Sequence, residues 1–174
     1  MDELVEILTE SGEFTGKNIS KFEAHMQGIC HGISAVGLID TNGRILIQKR
    51  AKTKKDEPNK WDLSSAGHIA INETPSEAAA REMYEELGVI VEQNDLELID
   101  TYLNKIRLNE KIYINHFTYL YIVKKDVDIN KIKILKEEIE EVKFVDKKEY
   151  HELMKNSKMV EGIKYCNKLL DYIS

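Results

Sequence analysis

The sequence predicts an α/β protein, an α/β/α sandwich built on a mixed sheet. Three features point there: several apolar runs of strand length, one sharply capped helix in their midst, and helical apolar spacing after the last strand. At 174 residues the chain is most simply one domain, residues 1–174, large enough for a core without staples.

Along the chain, LVEILT followed by SGEFTG reads as a strand and a turn. GISAVGLID and RILIQKR are two strand runs separated by Asp40-Thr41-Asn42-Gly43, and Asn-Gly between such runs is a hairpin signal. WDLSSAGHI then leads into the helix. Thr74 is a capping residue, Pro75 stands at the first helical position, and Glu77 follows the cap by three residues, which is the capping-box pattern. Ala78, Ala79 and Ala80 favour helix and Gly88 closes it, so roughly thirteen residues are helical. Ala79, Ala80, Met83 and Leu87 share one arc, which should face a core. VIVEQNDLELIDTYL reads as largely extended, KIYINHFTYLYIV as a long strand, and EEVKFVD as a short one. Two terminal helices are expected: one near KKEYHELM, and one in which Met159, Val160, Ile163, Cys166, Leu170 and Ile173 repeat at helical spacing.

The net charge of −6 carries no basic block, which argues against a dedicated nucleic-acid surface. No stretch approaches the eighteen or more apolar residues of a membrane span, and the start MDELVEIL is acidic, unlike a secretory signal. A cytoplasmic location is expected. Cys30 and Cys166 have no CxxC spacing and read as free thiols, Cys166 as core filler. A homodimer stays open.

The informative stretch is GHIAINETPSEAAAREMYEELGV, residues 67–89. Glu82, Glu85 and Glu86 fall three and four positions apart on an arc away from the apolar one, where like charges repel by a few tenths of a kcal/mol per pair. Something positive must offset them. Written out, the stretch is Gly67, five residues, Glu73, seven residues, Arg81-Glu82, an apolar residue, Tyr84, Glu85-Glu86, Leu87, Gly88 and an apolar residue. That pattern resembles a complete Nudix box, the signature of the Nudix hydrolase superfamily, whose fold is the sandwich expected above.

The chemistry explains the spacing independently. Magnesium takes hard oxygen ligands, usually one or two protein carboxylates, and leaves its other positions to water and substrate phosphates. A diphosphate adds further negative charge, so without a cation the site would repel its substrate. The acidic cluster therefore predicts Mg2+, with Mn2+ as the alternative, and a small-molecule diphosphate as the partner. The resemblance implies the finer roles: Glu85 and Glu86 as metal ligands, Glu82 as ligand or as the base activating water, Gly67 supplying a backbone carbonyl, Arg81 orienting a glutamate, and Glu73 in support.

Resemblance extends beyond the box. TGKNISKFEAHMQGICHGISAVGLID and LIQKRAKTKKDEPNKWDLSSAGHI are similar to the branch related to isopentenyl-diphosphate isomerase, over most of residues 1–125. The isomerase's catalytic cysteine would stand just before Gly67, where this chain has Ala66. The acidic pair with which, beside several histidines, it holds its metal falls on Ile114-Asn115-His116. Keeping every glutamate of the box while losing both features favours hydrolase over isomerase. His31 and His68 match the isomerase pattern, and His25 falls near it. A metal cluster of His25, His31 and His68 is the minority reading, and a structural role for each histidine, His116 included, the ordinary one. Arg50, Lys54 and Lys55 lie in a basic loop that is either solvated or meets substrate phosphates. Trp61 reads as near-core packing, and the run Glu137, Glu138, Glu140 and Glu141 as a solvated loop with one modest candidate for a further metal ligand. The alternatives to a hydrolase are the isomerase and a non-catalytic nucleotide-sensing domain.

Overall fold

A computed structural model of the protein describes residues 3–107, 109–162 and 166–174. In chain order its regular elements are β1 (Leu4–Leu8), β2 (Phe14–Ser20), α1 (Lys21–Gln27), β3 (His31–Ile39), β4 (Ile45–Arg50), β5 (Trp61–Asp62), β6 (Ser65–His68), α2 (Pro75–Leu87), β7 (Glu97–Arg107), β8 (Tyr113–Lys124), β9 (Ile139–Val145) and α3 (Lys147–Lys155). The strands join into one mixed sheet, so the α/β expectation holds.

Everything is arranged about β3, whose residues are all buried. It runs parallel to β8 along its whole length, from His31 opposite His116 to Ile39 opposite Lys124. On its other edge lies β6, antiparallel, with Ile33 opposite His68 and Val36 opposite Ser65. Alternation along β3 then feeds two cores. Val36 and Leu38 point to one face, where they meet Ala79, Met83 and Leu87 of α2. Ala35 and Ile39 point to the other, where Tyr150 of α3 and Met159, Cys166, Leu169 and Ile173 of the C-terminal segment cover them. Helix, sheet and terminal segment form the three layers. The arc of α2 expected to face a core does so: Ala79, Met83 and Leu87 are fully buried, and Ala80 packs beside them.

The hairpin at Asp40–Gly43 forms, with Gly43 at φ 75° and Asp40 accepting from the amides of Asn42 at 3.0 Å and Arg44 at 2.8 Å. Its strands, however, pair only at Ile39 opposite Ile45. Beyond that point β6 occupies the edge of β3, and β4 turns to pair with β9 and β5 instead.

Two sequence expectations need correction. The last apolar repeat is not one long helix. Met159 bridges Trp61 in parallel, Val160 donates to the Trp61 carbonyl at 2.9 Å, and Asn167–Asp171 is a 3-10 turn. Ile163 lies outside the described residues. The tightened turn buries Leu169 fully rather than Leu170, because a backbone tied to the sheet edge cannot keep a 3.6-residue period. The run VIVEQNDLELIDTYL is extended only from Glu97, after a 3-10 turn at Gln93–Asp95. Helix α1 was not anticipated. Its signal was present: Ser20 caps it by accepting from the Glu23 amide at 3.2 Å, and Gly28 closes it at φ 66°.

The start of α2 is as its sequence implies. Thr74 Oγ1 accepts from the Glu77 amide at 3.3 Å, and the Glu77 carboxylate accepts from the Thr74 amide at 2.8 Å. Replacing a capping threonine by alanine costs about 1 kcal/mol. Thr74→Ala should therefore lower the melting temperature by about 2–4 °C, for a domain of this size, without changing the far-ultraviolet circular dichroism.

Candidate active site

Helix α2 lies beside β6, and the loop between them carries Glu73 back toward the helix. Arg81, midway along α2, gathers what this arrangement brings near. Its Nε and Nη2 donate to the two oxygens of Glu73 at 2.7 and 2.9 Å, a two-pronged contact. Nη1 donates to Glu82 at 2.6 Å and to Glu85 at 3.0 Å, and Nη2 also donates to the His68 carbonyl at 2.9 Å. This is the positive partner that the crowded glutamates demand.

Glu86 is held differently. It is 8% exposed and accepts only from neutral donors, the Gln48 side chain at 3.0 Å and the Ala66 amide at 3.3 Å. Burial, reinforced by the charges of Glu82 and Asp62, pushes its pKa well above the usual carboxylate range. Among the described residues no cation pairs with it. Glu82 is also raised, by burial, with Arg81 pulling the other way. Burial works to raise Glu73 too, but the Arg81 hydrogen bonds and the Ala70 amide outweigh it and hold that carboxyl low. Gly67, on β6, faces Glu82 so closely that a methyl group there would overlap the Glu82 carboxyl. A glycine here leaves the space that the Glu82 side chain fills.

Gly67, Arg81, Glu82, Glu85 and Glu86 thus line one cleft of about 510 Å³. Glu73 stands behind Arg81 rather than on the cleft wall. Of the basic loop, Arg50 and Lys54 reach the cleft, and Lys55 is exposed and does not line it. Both arrive with acidic partners: Arg50 donates to the Asp56 carboxylate at 3.0 Å and lies 3.6 Å from Asp62, and Lys54 pairs with Glu138. Glu138 is the member of the distal acidic run that joins the cleft wall. Trp61 is half-buried, packed on the core, with the Lys143 ammonium 4.5 Å from its ring centroid. Cys30 and Cys166 are free and buried, and burial pushes the Cys166 thiol up to about 12.

Sequence reasoning missed the partnership of Gln48 with Glu86, since nothing in LIQKR marks one residue as facing a helix 38 positions away. It grouped His25, His31 and His68 only as a minority reading and left His116 outside that group. His25, His31, His68 and His116 converge, with ring centroids 4.6–5.5 Å apart, and His25 and His68 line the same cleft as the glutamates.

A family model for the NUDIX domain matches residues 30–166, which contain the helix, Gly67 and all of these carboxylates. The chain belongs to the Nudix family. Among its relatives, a Nudix hydrolase of Listeria monocytogenes is 32% identical over 156 residues, covering 89% of this chain and 86% of its own. Nudix hydrolase 3 of Arabidopsis thaliana is 33% identical over 157 residues, 88% of this chain, which spans only 20% of that longer protein. An isopentenyl-diphosphate isomerase of Streptomyces coelicolor is 41% identical over 87 residues, 49% of this chain and 44% of its own. The crystal structure of DR0079 from Deinococcus radiodurans, 19% identical, superposes with a TM-score of 0.71 over 97% of this chain and 98% of that one, which shows the same fold. By its family, and by the Listeria relative it matches along most of that protein's length, the protein is a Nudix hydrolase.

The two-pronged contact of Arg81 with Glu73 depends on the planar guanidinium, which an ammonium cannot reproduce. Arg81→Lys should lower stability by about 1–3 kcal/mol, because a mostly buried carboxylate loses its partner. Urea denaturation followed by circular dichroism measures it; a midpoint equal to wild type would mean that Arg81 does not hold Glu73 in place.

Proposed function

We propose that this Nudix hydrolase cleaves a diphosphate linkage in a nucleoside diphosphate derivative, or a related organic diphosphate, with Mg2+ as cofactor and Mn2+ as a substitute. A diphosphate-hydrolysing function in general follows from the family. The observation that carries the finer reading is the cluster of Glu82, Glu85 and Glu86 in one cleft, with Glu86 buried among neutral donors alone.

The residues fit a hard divalent cation. All of the side chains offered are carboxylates, the donor type that magnesium prefers, and a buried carboxylate without a cationic partner gains most from one. Glu82, Glu85 and Glu86 would hold the ion, with the carbonyl of Gly67 on the facing strand. When bound, it neutralises the charge that the substrate oxygens carry and develop.

The protein's own groups supply the rest. Glu82, held by Arg81 through one oxygen, is the group placed to take the proton of an attacking water with the other. The water oxygen bonds to phosphorus, the bridging P–O bond breaks, and the bridging oxygen leaves on the second phosphate. Arg81 steadies Glu82 from one side and, through Glu73 and the His68 carbonyl, ties the helix to the loop and strand beside it. Arg50 and Lys54, on the opposite rim, meet substrate phosphates after exchanging their acidic partners. The chemistry needs no membrane, and among the described residues no helix is long and apolar enough to cross one.

Glu85→Gln and Glu86→Gln should each reduce turnover at least about a hundredfold, the scale of removing a group that stabilises transition-state charge, while the fold survives. The assay is product release from a panel of nucleoside diphosphate derivatives, nucleotide sugars, dinucleotides and coenzymes, with and without magnesium. Near wild-type rates in both variants, or equal rates in chelator, would refute the reading.

The isomerase relative gives the second reading its one support. Against it stands Ala66, which has no proton to transfer and whose amide is used in holding Glu86. Isopentenyl diphosphate incubated with protein and magnesium should yield no dimethylallyl isomer above background; sustained conversion would reverse the choice.

A further inference from the structure

A second cavity lies behind β6. Gly67 turns its open side to Glu82 of α2, so alternation along the strand sends Ala66 and His68 to the opposite face, where Ala66 packs on the terminal core. The cavity there, of about 150 Å³, shares Arg50, Asp56, Ala66, Gly67 and His68 with the carboxylate cleft. A group seated in it is therefore bonded directly to a phosphate standing in the cleft.

We infer that this cavity receives the hydroxylated ring of a sugar joined directly to the diphosphate, and that Asn104 of β7 is the residue that selects it. The inference rests on the diphosphate-hydrolase reading above and names the substrate class: sugar diphosphates, nucleoside diphosphates among them, rather than prenyl diphosphates.

Size sets the first limit. A cavity of about this volume holds one six-membered carbon ring, so one sugar ring fits and a base together with its sugar does not. The base of a nucleoside would lie outside and go unread. Size alone admits a five-carbon prenyl group equally; the lining decides against it. Ile33, Leu63 and Val160 offer apolar surface to the C–H faces of a ring. Set among them is Asn104, 7% exposed, whose Oδ1 has no hydrogen-bond partner. Gly162 makes room for its amide, since a methyl group there would stand 2.7 Å from Asn104 Nδ2.

A buried amide oxygen without a donor is costly. Water can supply the donor while the cavity is empty, and a sugar hydroxyl that displaces the water restores the bond. An alkyl chain shuts the water out and returns nothing. Two further acceptors point the same way, for the largely buried carboxylates of Asp62 and Glu57 line the same cavity. Asp62 accepts from the Leu63 amide at 2.8 Å and Glu57 from the Glu161 amide at 2.7 Å, which leaves each with lone pairs for hydroxyl groups. These carboxylates also repel phosphate, so the charged end of the substrate stays in the cleft, where Lys54 joins Arg50. Acceptors inside and cations outside match the polarity of a sugar phosphate.

The test uses the whole chain and matched ligands that differ only in hydroxyl groups: uridine and adenosine diphosphates, each in the ribose and the 2′,3′-dideoxyribose form, with isopentenyl diphosphate beside them. Affinity is read by calorimetry with calcium in place of magnesium, and turnover separately with magnesium. For both bases the ribose form should bind at least about tenfold tighter than the dideoxy form, as expected of a site built to pair a hydroxyl, and tighter than isopentenyl diphosphate. In Asn104→Leu the ratio of ribose to dideoxy affinity should fall to about one. Gly162→Ala, which crowds the amide without removing it, should lower the same ratio. Equal affinities in wild type, tighter binding of isopentenyl diphosphate, no binding of any nucleotide, or a ratio unchanged in Asn104→Leu would each overturn the inference. Should Asn104→Leu fail to fold, the wild-type ratio and Gly162→Ala decide. The two readings fail separately: turnover without hydroxyl discrimination removes this one and leaves hydrolysis, and discrimination in binding without turnover does the reverse.

Discussion

The guanidinium of Arg81 is the contact on which the site rests. Three glutamates within five positions of one helix repel one another, and the fold tolerates them because Arg81 reaches Glu82 and Glu85 from the same turn and Glu73 from the preceding loop. The same group also donates to the His68 carbonyl. One planar cation thus fixes a helix, a loop and a strand in one geometry. Its direction is as important as its charge, because a carboxylate gripped at both oxygens cannot rotate. Glu73 is thereby fixed, while Glu82 is held through one oxygen only. The division suits one carboxylate that holds position and one that does chemistry.

A second constraint comes from close approach. Helix α2 presses onto β6 because Ala79, Met83 and Leu87 need a core and Gly67 offers no side chain to resist. The result is a buried Glu86 satisfied only by the Gln48 amide and a backbone N–H. Such a group is poorly stabilised as an ion by the protein alone. Stability and function pull against each other here, and the apolar face of α2, closed by a full capping box, supplies the anchoring that lets the opposite face carry this charge.

The third theme is the parallel pairing of β3 with β8. Strands 85 positions apart in sequence lie in register from His31 and His116 onward, with β6 on the other edge. The end of the sheet where Gly67 and His68 reach the carboxylates is therefore also where the histidines collect. Two of the four clustered histidines, His25 and His68, line the same cleft as the glutamates.

How much of this was legible in the chain follows the range of each interaction. The limits of α2, its cap, its buried arc and its acidic arc are local, set by residues three or four apart, and the sequence alone determined them. So too the strand runs, the turn at Asn42-Gly43 and the box spacing that marks the family. What the sequence did not determine was long-range. It did not say that β4 would leave its hairpin partner for β9, because that depends on β6 filling the edge of β3. It gave helical spacing to a terminal segment that Trp61 ties into an irregular path. And it offered four histidines at positions 25, 31, 68 and 116 with no common period, whose meeting is decided only by strand register and by a helix laid across it. Periodicity records which face of one element is buried; which faces meet is a property of the packed sheet, and only the tertiary structure decides it.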